Sequence, residues 1–425
     1  MNNLLIKNGR VIDPASHTDA VLDVLIENGL ITAVAANLSS TTATEFDASG
    51  MIVAPGFIDM HVHLREPGFE HSESIETGSR AAAAGGFTSI CPMANTSPVN
   101  DNATVTSYIV EKAKRHAIVN VWPIGAITKG SKGEDLAAMG AMKAAGAVAV
   151  SDDGIPVMNA RVMRRAMEFA TSCGLPVINH CEDLHLSAGG DMHEGLESVR
   201  RGLRGIPGCS EDVMVARDIL LTEVTGARYH VAHISSRHSV EMVAFAKSRG
   251  LSVTAEATPH HLALVDSQIP PYDSNYKMKP PLRSCGDVGA VIEGVVNGTI
   301  DAIATDHAPH PGSEKMQEFE KCPFGILGLE TAIGISLKEL VHSGKIGIVK
   351  MVELFTTGPA RILGLDRGTL KPGSPGDVTI FSTTHNWTYD VNKSFSKSRN
   401  SPFHGAVFTG GPVATIVNGV VVWSR

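Results

Sequence analysis

The middle of this 425-residue chain alternates between two textures, and that alternation limits the folds open to it. Eight short β-rich runs recur: FIDMHVH (57–63), FTSICPM (87–93), IVNVWPIGAI (118–127), AVAVS (147–151), PVINH (176–180), RYHVAHI (228–234), SVTAEA (252–257) and DAIATDH (301–307). Between most of them lie stretches with helical spacing, at 72–84, 102–115, 134–145, 159–173, 211–224, 237–248 and 286–297, and another follows near 328–342. Strands joined by helical crossovers make a parallel sheet, and eight such units predict an α/β fold, a (β/α)8 TIM-like barrel over residues 55–364. An open doubly wound sheet is the alternative. No GxGxxG fingerprint follows a strand, which removes the commonest reason to choose it.

The two ends read differently. Residues 1–54 carry strand-like runs at 3–12 and 21–27, and Asn28-Gly29 then turns into LITAVA. Residues 365–425 repeat this texture, with DVTIFS and a hairpin centred near Asn418-Gly419. Two separate β caps would satisfy the pattern. One small β-sandwich built from both termini is the expected arrangement, because chain ends tend to lie close together.

Composition restricts the setting. A net charge of -8 with no Lys/Arg block argues against nucleic acid, and 5% aromatics argue against a base-stacking platform. The opening MNNLLIKNGRVIDP lacks the pattern of a signal peptide, and no apolar run is long enough for a membrane span. The six cysteines show no CxxC pair and read as reduced thiols. A cytoplasmic location without membrane contact is expected.

The polar residues gather where a barrel places its chemistry, at the C-terminal ends of its strands. His61 and His63 end the first strand two residues apart, so both imidazoles face the same way. Asp153 follows the fourth strand, His180 ends the fifth, His233 lies on the sixth and Asp306 ends the eighth. Any one of these alone reads as an ordinary hydrogen-bonded residue. Together, four His and two Asp suit Zn²⁺ or a related divalent ion. Six ligands exceed one tetrahedral shell, so two ions sharing a bridging carboxylate, Asp153, are expected.

At these motifs the chain resembles the class I dihydroorotases of the amidohydrolase superfamily. The resemblance rests on GFIDMHVHLREPG (56–68), PMANTSP (92–98), SDDG (151–154), NHCED (179–183), GLRGIP (202–207), HVAHISS (230–236), KMKPPLR (277–283) and TDHAPH (305–310). It implies His61, His63, Asp153, His180, His233 and Asp306 as metal ligands, with Asp306 also the catalytic acid–base. It implies substrate contacts at His63, Arg65, Asn95 and His310, and from backbone near Phe324 and Gly325. The implied reaction is the reversible cyclisation of N-carbamoyl-L-aspartate to L-dihydroorotate and water in pyrimidine synthesis. In the ring-opening direction a metal-bound hydroxide is the implied nucleophile. A homodimer, and association with aspartate transcarbamoylase, belong to the same set of implications.

One position departs from the family pattern. Lys279 stands where the family has Asn before Pro-Pro, and a Lys adds charge and cannot accept a hydrogen bond. Two competing readings remain. Dihydropyrimidinase, hydantoinase and allantoinase share the HxH strand, but they typically bridge their metals with a carboxylated Lys from strand four, and AVAVSDD has none. A non-catalytic scaffold subunit would be expected to lose ligands, and all six are present. Other features take plainer readings. Glu182 and Asp183 are expected to be solvated loop acids, Cys181 a packed thiol, and His260-His261 a weak candidate for orienting a ligand. Residues 308–325 are expected to form a mobile loop covering the site.

Overall fold

The computed structural model describes residues 3–425. Strands from both ends of the chain share one eight-stranded sheet. Its order runs Val420–Ser424, Val407–Val417, Val378–Thr388, Ile52–Pro55, Asn3–Asp13, Thr18–Glu27 and Leu30–Ala35, with Ala43–Asp47 also paired to Asn3–Asp13. The joint between the ends is antiparallel, with Val53 opposite Ile380. Asn3–Asp13 serves two partners because it bends. Asn8 adopts φ 61°, and the register shifts between Ile6 and Gly9. Residues before the bend pair with Ala43–Asp47, and residues after it pair with Ile52–Pro55. Gly9 is required there, since a Cβ would sit 2.4 Å from Val53 Cγ2. Ile6, Val24, Ile26, Val53, Ile380 and Ile416 fill the interior of this β unit.

The central segment forms the parallel α/β barrel, and its inner strands are short. Phe57–Val62 pairs with Phe87–Pro92, which pairs with Asn120–Val121. Ile124–Gly125, Ala149–Val150, Val177–Asn179, Tyr229–Val231, Val253–Ala257 and Ala302–Ile303 continue in order. The run expected at 118–127 is broken at Trp122-Pro123, where proline has no N–H to donate. Both sides still find neighbours, Trp122 N bonding Ile90 O and Val148 N bonding Pro123 O. The last strand returns to the first through a bridge between Val62 and His307, with His63 N 2.9 Å from His307 O.

Several outer helices start at side-chain caps. Ser74 opens Ile75–Ala84 with a capping box, Asn102 caps Ala103–His116, and Asn159 caps Ala160–Cys173. The helix expected at 134–145 shortens to Met139–Ala144, and the one near 328–342 becomes Ala332–Ser336 followed by a wider turn through His342. A small parallel pair, Met192–His193 with Gly205–Ile206, encloses the helix Leu196–Arg201 and was not foreseen. Among the described residues no helix is long and apolar enough to cross a membrane. All six cysteines are free thiols.

Candidate active site

The first barrel strand sets the site. Asp59, His61 and His63 alternate along it and are all buried. Asp59 accepts from Thr305 N at 3.0 Å and from Thr305 Oγ1 at 2.5 Å, which locks the end of the eighth strand against the first. Burial pushes the Asp59 carboxyl up to about 7, against the pull of these hydrogen bonds. The chain then turns sharply at the rim. Arg65, His233 and Asp306 all have positive φ, at 60°, 32° and 46°. Left-handed backbone at non-glycine residues is costly, and it collects at functional sites.

These turns bring the six metal-ligand candidates into one cluster. His61 Nε2 lies 3.4 Å from Asp153 Oδ1 and 3.4 Å from Asp306 Oδ1. His63 Nε2 lies 3.0 Å from Asp306 Oδ1 and 3.5 Å from Asp153 Oδ2. His180 Nδ1 and His233 Nε2 approach Asp153 Oδ1 to 3.8 and 3.7 Å. Three overlapping groups result: His61, His63 and Asp153; His61, His233 and Asp306; and Asp153, His180 and His233. Ligands about 2.05 Å from a tetrahedral ion are separated by about 3.3 Å, close to these spacings. His61 Nε2 and Asp153 Oδ1 are buried without a hydrogen-bond partner. Buried polar atoms left unpaired are costly, and a cation between them would satisfy both. The residues therefore fit a metal cofactor. Burial opposes charge on Asp306, but His61 and His63 outweigh it and hold the carboxyl at about 2, so it is an acceptor at neutral pH.

An outer layer of acids orients the imidazoles. Glu256, on Val253–Ala257, places Oε1 2.7 Å from His61 Nδ1 and Oε2 3.2 Å from His230 Nε2. Burial works against its charge, but these imidazoles hold its carboxyl below the ordinary range. Glu182 lies 2.9 Å from His180 Nε2, and its other oxygen is 2.7 Å from Lys279 Nζ. Burial is again overcome, by His180 and Lys279, and the Glu182 carboxyl rests at about 2. The expectation of a solvated Glu182 is thus corrected, because His180 and the Lys279 ammonium accompany it into the interior. Asp152 turns the other way, accepting from Ile127 N and Thr128 N.

A cavity of about 360 Å³ opens onto the cluster. Arg65, Asn95, Lys279, His310 and Phe324 line it beside His63, Asp153, His180, His233 and Asp306. Arg65 is fixed by Nε donating to Pro309 O at 3.1 Å and Nη2 to His310 Nε2 at 3.2 Å. Asn95 Oδ1 lies 3.0 Å from His63 Nδ1. Burial, then the nearby Arg65 cation, lowers His310 to about 3 and keeps it neutral. Gly325 stands behind the wall, its N–H bonded to Lys277 O. Within residues 308–325, Ala308, His310, Pro323 and Phe324 line the cavity, and the segment includes a short helix, Gly312–Lys315.

Sequence reasoning did not single out Glu256. Its only signal was an acid at an inward position of SVTAEA, on the same parity as Thr254. His261 has a structural partner at each nitrogen, Thr258 Oγ1 at 2.7 Å and Pro280 O at 3.0 Å. His260 is buried with Nε2 unpaired. Cys181 packs with its sulfur 3.0 Å from Tyr229 Oη. Asp183 caps the turn at His185 and Leu186.

Comparisons with known proteins agree with this geometry. Residues 50–239 match a family model described as Dihydro-orotase-like. The chain is 72% identical over 422 residues to a dihydroorotase of Solibacter usitatus, covering 99% of this chain and 98% of the relative. It is 55% identical to a dihydroorotase of Pelotomaculum thermopropionicum, over 99% of this chain and 98% of that protein. Among solved structures it resembles an L-hydantoinase (dihydropyrimidinase) from Arthrobacter aurescens, with TM-score 0.89 and 27% identity over 100% of this chain and 97% of that one.

Proposed function

Because the chain belongs to the dihydroorotase family, we propose that it interconverts N-carbamoyl-L-aspartate and L-dihydroorotate through the residues that meet at the barrel rim. The observation that carries this reading is the convergence of His/Asp triads, two of them sharing Asp153, on a cavity also lined by Arg65 and Asp306. His61, His63, Asp153, His180, His233 and Asp306 would hold two Zn²⁺ ions, with Asp153 shared between them. Such ions supply an electrophile for the carbonyl oxygen and acidify water toward neutral pH.

The protein's own groups do the rest. Asp306, kept as a carboxylate, accepts a proton from the attacking water and passes it to the departing ring nitrogen. In cyclisation it works in reverse. Arg65 offers a planar donor fork that suits the substrate carboxylate. His310, held neutral, and Asn95 each supply donor and acceptor capacity to the ring amide groups. Lys279 adds a second cation at the wall, partly engaged by Glu182, and so tunes affinity more than turnover. Phe324 and the covering loop keep bulk water out.

The wider reading is a cytoplasmic homodimer, able to associate with aspartate transcarbamoylase. Residues 1–54 and 365–425 form its β domain and 55–364 the metal-dependent barrel. The deciding experiment is ring opening of L-dihydroorotate by metal-replete protein, beside dihydrouracil, hydantoin and allantoin. Selective turnover of dihydroorotate supports the proposal. Preference for another ring moves the protein to a sister activity with the same centre. Metal binding without turnover of any ring points to a scaffold subunit instead.

A further inference from the structure

Lys315 is buried within the 308–325 segment, and among the described residues its ammonium hydrogen-bonds only main-chain carbonyls. These are Pro323 O at 2.9 Å, Gly325 O at 3.1 Å and Lys277 O at 3.4 Å. A protonated lysine carries three N–H donors, one for each. Asn400 Nδ2 also donates to Gly325 O at 3.0 Å. The carbonyls on either side of Phe324, those of Pro323 and Gly325, are therefore held by side chains. The held segment carries the Phe324 ring, which forms a wall of both the 360 Å³ cavity and a neighbouring one of about 620 Å³. Lys277 Nζ and Lys279 Nζ lie 4.6 and 5.0 Å from the centre of that ring.

We propose that Lys315 is a positioning residue: it fixes the 323–325 backbone so that Phe324 separates the substrate cavity from its larger neighbour. The proposal rests on reading the smaller cavity as the substrate site. It has a pH signature. Burial lowers Lys315 to about 8. Above that pH the amine keeps two donors for three carbonyls, and its lone pair faces the third, so the wall loosens. The charged and titratable groups facing it are the Lys277 ammonium, Asp273, the Cys322 thiol and the His310 imidazole. Burial pushes Cys322 up, away from the same range.

The test compares the metal-loaded wild type with Lys315→Met. KM and kcat for dihydroorotate are measured from about pH 6.5 to about 9.5, spanning the lysine's lowered titration. At neutral pH the variant should show KM raised about tenfold with kcat within about threefold, the signature of lost binding rather than lost chemistry. Wild-type KM should climb through pH 8 toward the variant's value, while the variant's KM stays flat. Amide exchange over residues 320–327 should be faster in the variant. An unchanged KM in the folded variant, or the same rise through pH 8 in both proteins, would overturn the proposal. If the variant does not fold, the wild-type profile decides, and a flat KM with no loss of exchange protection counts against it. Gly325→Ala separates the two levels of inference. Gly325 has φ 154°, and a Cβ there would lie 2.6 Å from Ala308 O, so the substitution displaces the wall directly. If it leaves KM unchanged, the reading of the cavity fails. If it raises KM while Lys315→Met does not, only the role of Lys315 fails.

Discussion

Glu256 never reaches the cavity, yet it holds His61 by one oxygen and His230 by the other. An imidazole fixed at Nδ1 by a carboxylate presents Nε2 in one orientation and with greater basicity. Glu256→Gln keeps the shape and removes the charge. Metal affinity, read by competition with a chelator, should fall about tenfold to a hundredfold. An unaltered affinity would reduce Glu256 to a packing residue. Asp306 calls for a different measurement, because it both belongs to a His/Asp group that could hold a metal and lines the cavity. Asp306→Asn should fold normally and lose turnover by about a thousandfold or more, through loss of the proton carrier. A folded, metal-loaded variant that retained substantial turnover would take the proton transfer away from this residue.

At the scale of elements, the site depends on how closely adjacent strands approach. Gly56 precedes the first barrel strand, and a Cβ there would lie 2.1 Å from Thr88 Oγ1. Gly56→Ala should therefore push the first two strands apart and cost about 1–3 kcal/mol, as overpacking does. The denaturation midpoint reports it, and a midpoint like that of the wild type would show that the strands can slide. The clustering of His and Asp at the strand ends was legible in the sequence because period two fixes which residues share a face. His61 and His63 could be placed together before any contact was known. Element ends were less legible. Pro123 divides a run that looked continuous, and the 134–145 helix keeps only its second half. The pair of short strands around Leu196–Arg201 has two residues on each side, too few to leave a periodic signal. Glu182 was misjudged for another reason. Its burial depends on Lys279, which is distant in the chain, and a single acid in a loop gives no hint of a partner that far away.

For the molecule as a whole, the decisive contact is the one between barrel and sheet. Thr379 Oγ1 accepts from Phe57 N at 2.9 Å and donates to Gly86 O at 2.7 Å. One hydroxyl thus joins the C-terminal sheet strand to the start of the first two barrel strands. Thr379→Val keeps the volume and leaves a buried N–H and a buried carbonyl unpaired. A loss of about 1–3 kcal/mol for each is expected from equilibrium unfolding. No loss would mean that water replaces the hydroxyl. Beside this contact Phe57 stacks on Phe355 with ring centres 5.0 Å apart, so apolar packing and hydrogen bonding reinforce the same junction.

The sharing of one sheet by both ends also governs how the protein can be made. The hydrogen bond from Phe57 to Thr379 joins residues 322 apart, and Ile52–Pro55 has its antiparallel partner only in Val378–Thr388. While the chain is being translated, the edge of Ile52–Pro55 that faces Val378–Thr388 stays unpaired until nearly the whole message has been read. An unpaired strand edge is a template for aggregation. A product truncated before residue 378 would keep every candidate ligand and still present that edge, a target for chaperones and proteases. The last fifty residues therefore act as a completeness check on a candidate site to which they contribute none of the clustered His and Asp.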